Sequence, residues 1–95
     1  MKRMVVAKVY GRVQGVSFRY YTQVEARRWP EVTGWVRNEA DGTVLVTAVG
    51  PQADLEELVA FLHRGSPAAR VDKVEVEWST RETGFPGFQI RYLSD

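Results

Sequence analysis

The segment GWVRNEADGTVLVTAV, residues 34–49, carries the clearest structural pattern of the chain. Two runs rich in β-branched and aromatic residues flank the dipeptide Asp41-Gly42, which tolerates the positive φ angles of a tight hairpin turn. The two runs, residues 34–38 and 43–49, are therefore predicted to be paired antiparallel strands. The remaining elements must be arranged around this hairpin.

Upstream of the hairpin, the pattern predicts a strand, a loop and a helix. Residues 4–10 alternate between two faces, as a strand does, and residues 11–16 are predicted to form a loop. Pro30 is expected to end the helix that follows, because proline disfavours the helical conformation of the residue before it. The residues that recur at helical spacing on one stripe are Phe18, Thr22, Ala26 and Trp29.

Downstream of the hairpin, the pattern predicts a second helix and two more strands. Apolar residues across 55–62 have helical spacing, and Gly65 marks the end of that helix. Residues 73–79 and 88–92 alternate in the manner of strands, with a glycine- and proline-rich turn at 84–87 between them. The order of elements is therefore β-α-β-β-α-β with one extra strand.

This order predicts an α+β fold, the ferredoxin-like βαββαβ sandwich, with an antiparallel sheet of four to five strands and two helices on one face. The length of 95 residues fits a single domain, residues 1–95. In this topology the first and second strands end at the same edge of the sheet. We therefore expect the loop of residues 11–17 to meet Asn38 at that edge.

Composition excludes several classes of chemistry. The chain has no cysteine and one histidine, which excludes disulfide frameworks, Fe–S clusters, thiolate nucleophiles and zinc sites built from several Cys or His ligands. Its net charge of +1 provides no broad electrostatic surface for nucleic acid or acidic membranes. No apolar run resembles a signal peptide or a membrane span. We expect a cytoplasmic monomer without nucleic-acid or membrane partners.

The loop between the first strand and the first helix has the composition of an anion site. Its sequence is GRVQGVSFR, residues 11–19. Backbone N–H groups and the helix dipole favour an anion at such a junction. The planar guanidinium of Arg19 can bind two phosphate oxygens. The alternative interpretation is that the glycines only shape a turn and that Arg19 is a solvated helix residue.

Asn38 is expected at the same edge, just before the hairpin turn. Its side-chain amide can both accept and donate hydrogen bonds, so it could hold a water molecule near a phosphate. The alternative is a turn asparagine that bonds its own backbone. The residues alone leave both interpretations open.

The motifs at residues 11–19 and 34–44, at this spacing, closely resemble those of the acylphosphatase family, and the resemblance covers essentially the whole chain. It implies an enzyme that hydrolyses the carboxyl-phosphate bond of acyl phosphates with a positioned water, releasing a carboxylate and inorganic phosphate. Arg19 would bind the phosphoryl group and Asn38 would position the water. We expect no metal and no cofactor. The backbone amides that would surround the phosphoryl group belong to Gln14, Gly15, Val16, Ser17 and Phe18.

The chain departs from the family pattern in one place. Residues 29–33 form a connection about one residue longer than expected, with Pro30 where a glycine-type helix stop is expected. This departure bears on where the first helix ends and leaves the two motifs intact.

Three alternatives are weaker. Ser17 as a nucleophile lacks the second glycine of a Gly-x-Ser-x-Gly turn and has no histidine nearby in sequence, so a helix N-cap is the preferred interpretation. An RNA-binding role is disfavoured because the aromatic strand, residues 84–92, comes last instead of third. A domain that binds phosphate without turnover needs only the loop and Arg19, whereas Asn38 favours catalysis.

Overall fold

A computed structural model describes residues 2–93. The elements follow the predicted order, and the fold is the predicted α+β sandwich. Their bounds are β1 (Arg3–Arg12), α1 (Phe18–Ala26), β2 (Thr33–Asn38), β3 (Val44–Gly50), α2 (Gln52–Leu62), β4 (Arg70–Thr80) and β5 (Phe88–Arg91).

The five strands form one sheet in the order β4-β1-β3-β2-β5. Three of the four neighbouring pairs are antiparallel, but β2 and β5 are parallel. The expectation of a wholly antiparallel sheet is therefore wrong in this one pair. The reason is strand direction: β4 runs opposite to β1, and the chain then reverses across residues 81–87. As a result β5 runs in the direction of β1 and β2, and it lies beside β2.

The core lies between one face of the sheet and the two helices. Strand alternation buries one side of β1, as the period of two requires, whereas the central strand β3 is buried on both faces from residue 46 to residue 50. Helix α1 packs against β2 and β5, whereas α2 packs against β1 and β3. Each fully buried valine or leucine stabilises the fold by about 1.5–3 kcal/mol. The buried residues with the least exposure include Val5, Ala7, Val9, Val36, Val44, Val46, Leu55, Leu58 and Leu62.

Helix α1 is shorter than its apolar stripe predicted. It ends at Ala26, and Trp29 packs against the core from the turn that follows. The Trp29 N–H donates to the Ala26 carbonyl in an i to i−3 hydrogen bond, so the last turn before Pro30 is tighter than an α-helical turn. Within residues 2–93, no helix combines the length and apolar character that crossing a membrane requires.

The register of β3 confirms that the first two strands end together. Val44 pairs with Val9 of β1 on one side and with Asn38 of β2 on the other. Because both neighbours are antiparallel to β3, they run in the same direction. The end of β2 and the loop after β1 therefore lie at the same edge of the sheet.

Gly34 pairs with Ala48 of β3, and a Cβ atom at Gly34 would overlap the Thr47 carbonyl oxygen. Since a paired backbone cannot move aside, we predict that Gly34→Ala lowers the free energy of unfolding by about 3 kcal/mol in urea titrations. The control is Gly42→Ala, where φ is 90° and nothing lies within 4 Å of the added Cβ. Conformational strain alone should cost about 1–2 kcal/mol there. Equal losses in the two variants would contradict the close approach.

Candidate functional site

The loop between β1 and α1 makes a sharp turn on two left-handed residues. Gly15 has a φ of 72° and Ser17 a φ of 61°. Glycine adopts this conformation freely, whereas serine does so at a cost of about 1–3 kcal/mol. The side chains of Val13 and Val16 are buried in the core cluster and hold the loop against the domain. Helix α1 therefore begins immediately after this turn, near the ends of β1 and β2.

Ser17 occupies the predicted N-cap position of helix α1, but its side chain makes no capping hydrogen bond. A capping side chain needs extended backbone at its own residue, and Ser17 has φ 61° and ψ 26° instead. The hydroxyl is therefore not used to close the helix.

The start of α1 leaves backbone donors without partners inside the helix. The first intrahelical bond runs from the Tyr21 N–H to the Ser17 carbonyl at 3.1 Å. The N–H groups of residues 18–20 precede this bond, so the helix itself cannot satisfy them. The first turn also contains no acidic side chain. This end of the helix therefore favours an anion.

Two side chains tie the loop to other parts of the domain. The Ser66 hydroxyl, after α2, donates to the Val16 carbonyl at 2.6 Å in a buried position. The Gln14 side-chain amide donates to the backbone carbonyls of Glu39 and Thr43 at 2.8 and 2.9 Å. The loop is thus fixed both to the helix layer and to the β2–β3 hairpin.

Arg19 lies in the first turn of α1 with its side chain half-buried. Its guanidinium is stacked over the Tyr92 ring, 5.2 Å from the ring centre. None of the ion pairs within residues 2–93 involves Arg19. Its planar donor fork is therefore oriented by an aromatic ring while no carboxylate of this region neutralises it.

Asn38 ends β2 at the sheet edge. Its side-chain carbonyl oxygen is buried and has no hydrogen-bond partner within residues 2–93. Buried polar atoms nearly always have a hydrogen-bond partner. Because the Asn38 oxygen lacks one and lies near the start of α1, it is suited to bind a polar ligand atom. The Asn38 amide is thus an acceptor that the fold itself does not use.

The alternative for Asn38 was a side chain that stabilises the hairpin turn, and in the structure Asp41 does this. The Asp41 carboxylate accepts from the Thr43 hydroxyl at 2.6 Å and from the Thr43 N–H at 3.1 Å. It also forms an ion pair with Lys8 at 2.9 Å. The hydrogen bond from the Thr43 hydroxyl, followed by that from Lys8, holds the pKa of the Asp41 carboxyl well below its usual range. Asp41 therefore shapes the hairpin, and Asn38 is not needed for that purpose.

The residues of the two motifs meet around one cavity of about 410 Å³. Of the residues predicted for the site, five line it: Gly15, Ser17, Phe18, Arg19 and Asn38. Gln14 and Val16 do not line it, because Gln14 bonds the hairpin and Val16 is buried. The lining residues that the sequence did not predict are Val13, Tyr20, Ile90 and Tyr92.

Two of the additional lining residues come from the end of the chain. The parallel pairing places Ile90 beside Val36 and Arg91 beside Arg37, so β5 brings the next residue, Tyr92, toward the level of Asn38. No local pattern in residues 88–92 indicated this pairing. Tyr20 could have been found from its position directly after Arg19.

The cavity lining suits an anion more than a cation. It combines the N-terminal end of a helix, a serine hydroxyl, an asparagine amide and an arginine. Within the part of the chain that the structure describes, no three His, Cys, Asp or Glu side chains are grouped so that they could hold a metal ion. The arrangement can bind a phosphoryl group and hold a small polar molecule beside it.

Comparison with known proteins identifies the family of this chain. The acylphosphatase family model matches residues 5–90. An acylphosphatase of Salinibacter ruber is 49% identical over 90 residues, which are 95% of this chain and 94% of the relative. One of Thermococcus kodakarensis is 47% identical and covers 87% of this chain and 89% of its own length. The crystal structure of acylphosphatase from Bacillus subtilis has a TM-score of 0.87 at 39% identity, with 97% of this chain and 100% of that chain covered. The chain therefore belongs to the acylphosphatase family.

Proposed function

We propose that this protein is an acylphosphatase: an acyl phosphate and water give a carboxylate and inorganic phosphate. One cavity brings Arg19, Asn38 and the start of α1 together, and this juxtaposition supports the assignment. The amides of residues 14–18 surround the phosphoryl group, Arg19 binds its oxygens, and Asn38 positions the attacking water.

The chemistry of the leaving group explains why so few side chains suffice. The conjugate acid of a carboxylate has a pKa of about 4, so the leaving group departs without being protonated. No general acid is required. Phosphoryl transfer is largely loose, which leaves the protein to position the water and to stabilise charge on the phosphoryl oxygens. The half-buried Arg19 and the helix start supply that stabilisation.

The proposed reaction is a single displacement at phosphorus. The water oxygen, held by the unpaired Asn38 carbonyl oxygen, forms a bond to phosphorus as the bond to the acyl oxygen breaks. The carboxylate leaves with the bonding electron pair. A proton of the water passes to a phosphoryl oxygen, so the absence of a histidine base is no obstacle.

The proposal extends to the setting of the enzyme. Residues 1–95 form a single acylphosphatase-like domain that acts as a cytoplasmic monomer. Its ligands are small acyl phosphates and inorganic phosphate, not nucleic acids or membranes. The net charge of +1 supports small-molecule ligands over nucleic acid.

Comparison of two substrates tests the leaving-group argument. We predict that the protein hydrolyses a generic acyl phosphate with kcat/KM at least about a thousandfold above that for a phosphate monoester, whose alkoxide leaving group needs a proton. Phosphate release measured for both substrates decides the matter. Hydrolysis of the monoester alone would refute the proposal. Binding of inorganic phosphate without turnover of either substrate would establish the alternative, a non-catalytic phosphate-binding domain.

Substitutions at two positions should separate phosphate binding from water positioning. We predict that Arg19→Ala weakens inhibition by inorganic phosphate and lowers kcat/KM by roughly a hundredfold or more. Arg19→Lys should recover little, because lysine lacks the planar fork. Asn38→Ala should lower kcat by roughly a hundredfold with little change in phosphate inhibition. Steady-state kinetics and the inhibition constant of phosphate provide the measurement.

Arg28→Ala is the matched control for Arg19, since Arg28 is exposed beyond the end of the same helix and contacts its sequence neighbours Glu25 and Trp29. Its kinetics should be those of the unmodified enzyme. Neither Arg19→Ala nor Asn38→Ala should change thermal stability appreciably. An Asn38→Ala enzyme with normal kcat would remove the water-positioning role.

A further inference from the structure

The side chain of Gln14 joins the loop before α1 to the β2–β3 hairpin without lining the cavity. Both hydrogens of its amide nitrogen are used, one on the Glu39 carbonyl at 2.8 Å and one on the Thr43 carbonyl at 2.9 Å. Gln14 itself belongs to the loop that begins the anion site. Its two acceptors belong to the hairpin that carries Asn38, and Glu39 directly follows Asn38.

The two acceptors stand at the point where the hairpin closes. The Glu39 N–H donates to the Thr43 carbonyl at 2.9 Å, so that carbonyl accepts both this bond and one from Gln14. Asp41 holds the tip of the same hairpin through Thr43 and Lys8. The Gln14 bonds therefore reach the hairpin between its tip and the end of β2.

We infer that Gln14 is a positioning residue that sets the separation between the phosphate-binding loop and the Asn38 amide. The inference deepens the proposed function and rests on the role assigned there to Asn38. The side chain of Gln14 does not line the cavity, and it acts through the hairpin backbone. A displacement of about 1 Å between two reacting groups can cost a hundredfold in rate, so a contact that fixes this separation controls turnover.

The loop has a second anchor that does not involve Gln14. The Ser66 hydroxyl holds the Val16 carbonyl at 2.6 Å, and Val13 and Val16 are buried. Loss of the Gln14 amide therefore leaves the loop and the start of α1 in place. After this loss, phosphate should still bind, but Asn38 should no longer be held in position. We therefore predict a lower kcat with nearly unchanged phosphate affinity.

The first test replaces the amide by a chain of similar length without donors. In Gln14→Met we expect kcat to fall by roughly ten- to a hundredfold, with the inhibition constant of inorganic phosphate changed by less than about threefold. In an Asn38→Ala background, Gln14→Met should lower kcat by no more than about a further twofold, because the residue acts through Asn38. Full additivity of the two losses would overturn the inference.

Gln23→Met is the matched control. The Gln23 amide also donates to a distant backbone carbonyl, that of Phe88 at 3.0 Å, and Arg27 donates to the same carbonyl at 3.2 Å. This variant loses a comparable part-buried hydrogen bond away from the hairpin. Its kcat should remain within about twofold of the unmodified enzyme. An equal loss of kcat in Gln23→Met and Gln14→Met would overturn the positioning role.

Two further variants, which place opposite charges at position 14, test the inference if Gln14→Met does not fold. In Gln14→Lys the ammonium still donates to the two carbonyls, whereas in Gln14→Glu a carboxylate faces them. We expect Gln14→Lys to retain kcat within about tenfold and Gln14→Glu to lose more than Gln14→Lys. Equal kcat in these two variants would overturn the inference. A slow Asn38→Ala with a normal Gln14→Met also overturns it, whereas a normal Asn38→Ala refutes the proposed role of Asn38 itself.

Discussion

The pairing of Val44 with Val9 on one side and Asn38 on the other is the constraint on which the site depends. It places the end of β2 level with Val9, close to where β1 leads into the loop before α1. A slip of one residue would turn Asn38 to the opposite face of the sheet and expose Val36. Burial of Val36 and Val44 makes such a slip costly, so the core that stabilises the fold also holds the site in register.

Each functional group is held by a contact from another element. Ser66 after α2 holds the loop, Tyr92 after β5 orients Arg19, and Gln14 joins the loop to the hairpin. The groups that meet the ligand are therefore preorganised. Preorganised groups are sufficient for catalysis here because the leaving group needs no proton, so the reaction requires orientation and charge but no general acid.

Most of the architecture followed from local patterns. Alternation predicted strand β1, the stripe of Phe18, Thr22 and Ala26 predicted α1, and topology predicted that the loop meets Asn38. The left-handed Ser17 could not be predicted, since a positive φ is uncommon at a residue other than glycine and no local pattern indicated it. The parallel pairing of β5 and the bonds of Gln14 were also missed, because both join residues far apart in the chain and leave no periodic signal.

The most direct measurement is a titration with inorganic phosphate followed by nuclear magnetic resonance. Asn38 is the only asparagine of the chain, so selective labelling gives a single side-chain amide signal for it. The account predicts shifts at the backbone amides of residues 15–20 and at the Asn38 side chain, with no change at exposed residues of β4 such as Val76. Shifts confined to another surface, or a silent Asn38 while the loop responds, would contradict a single site at this edge of the sheet.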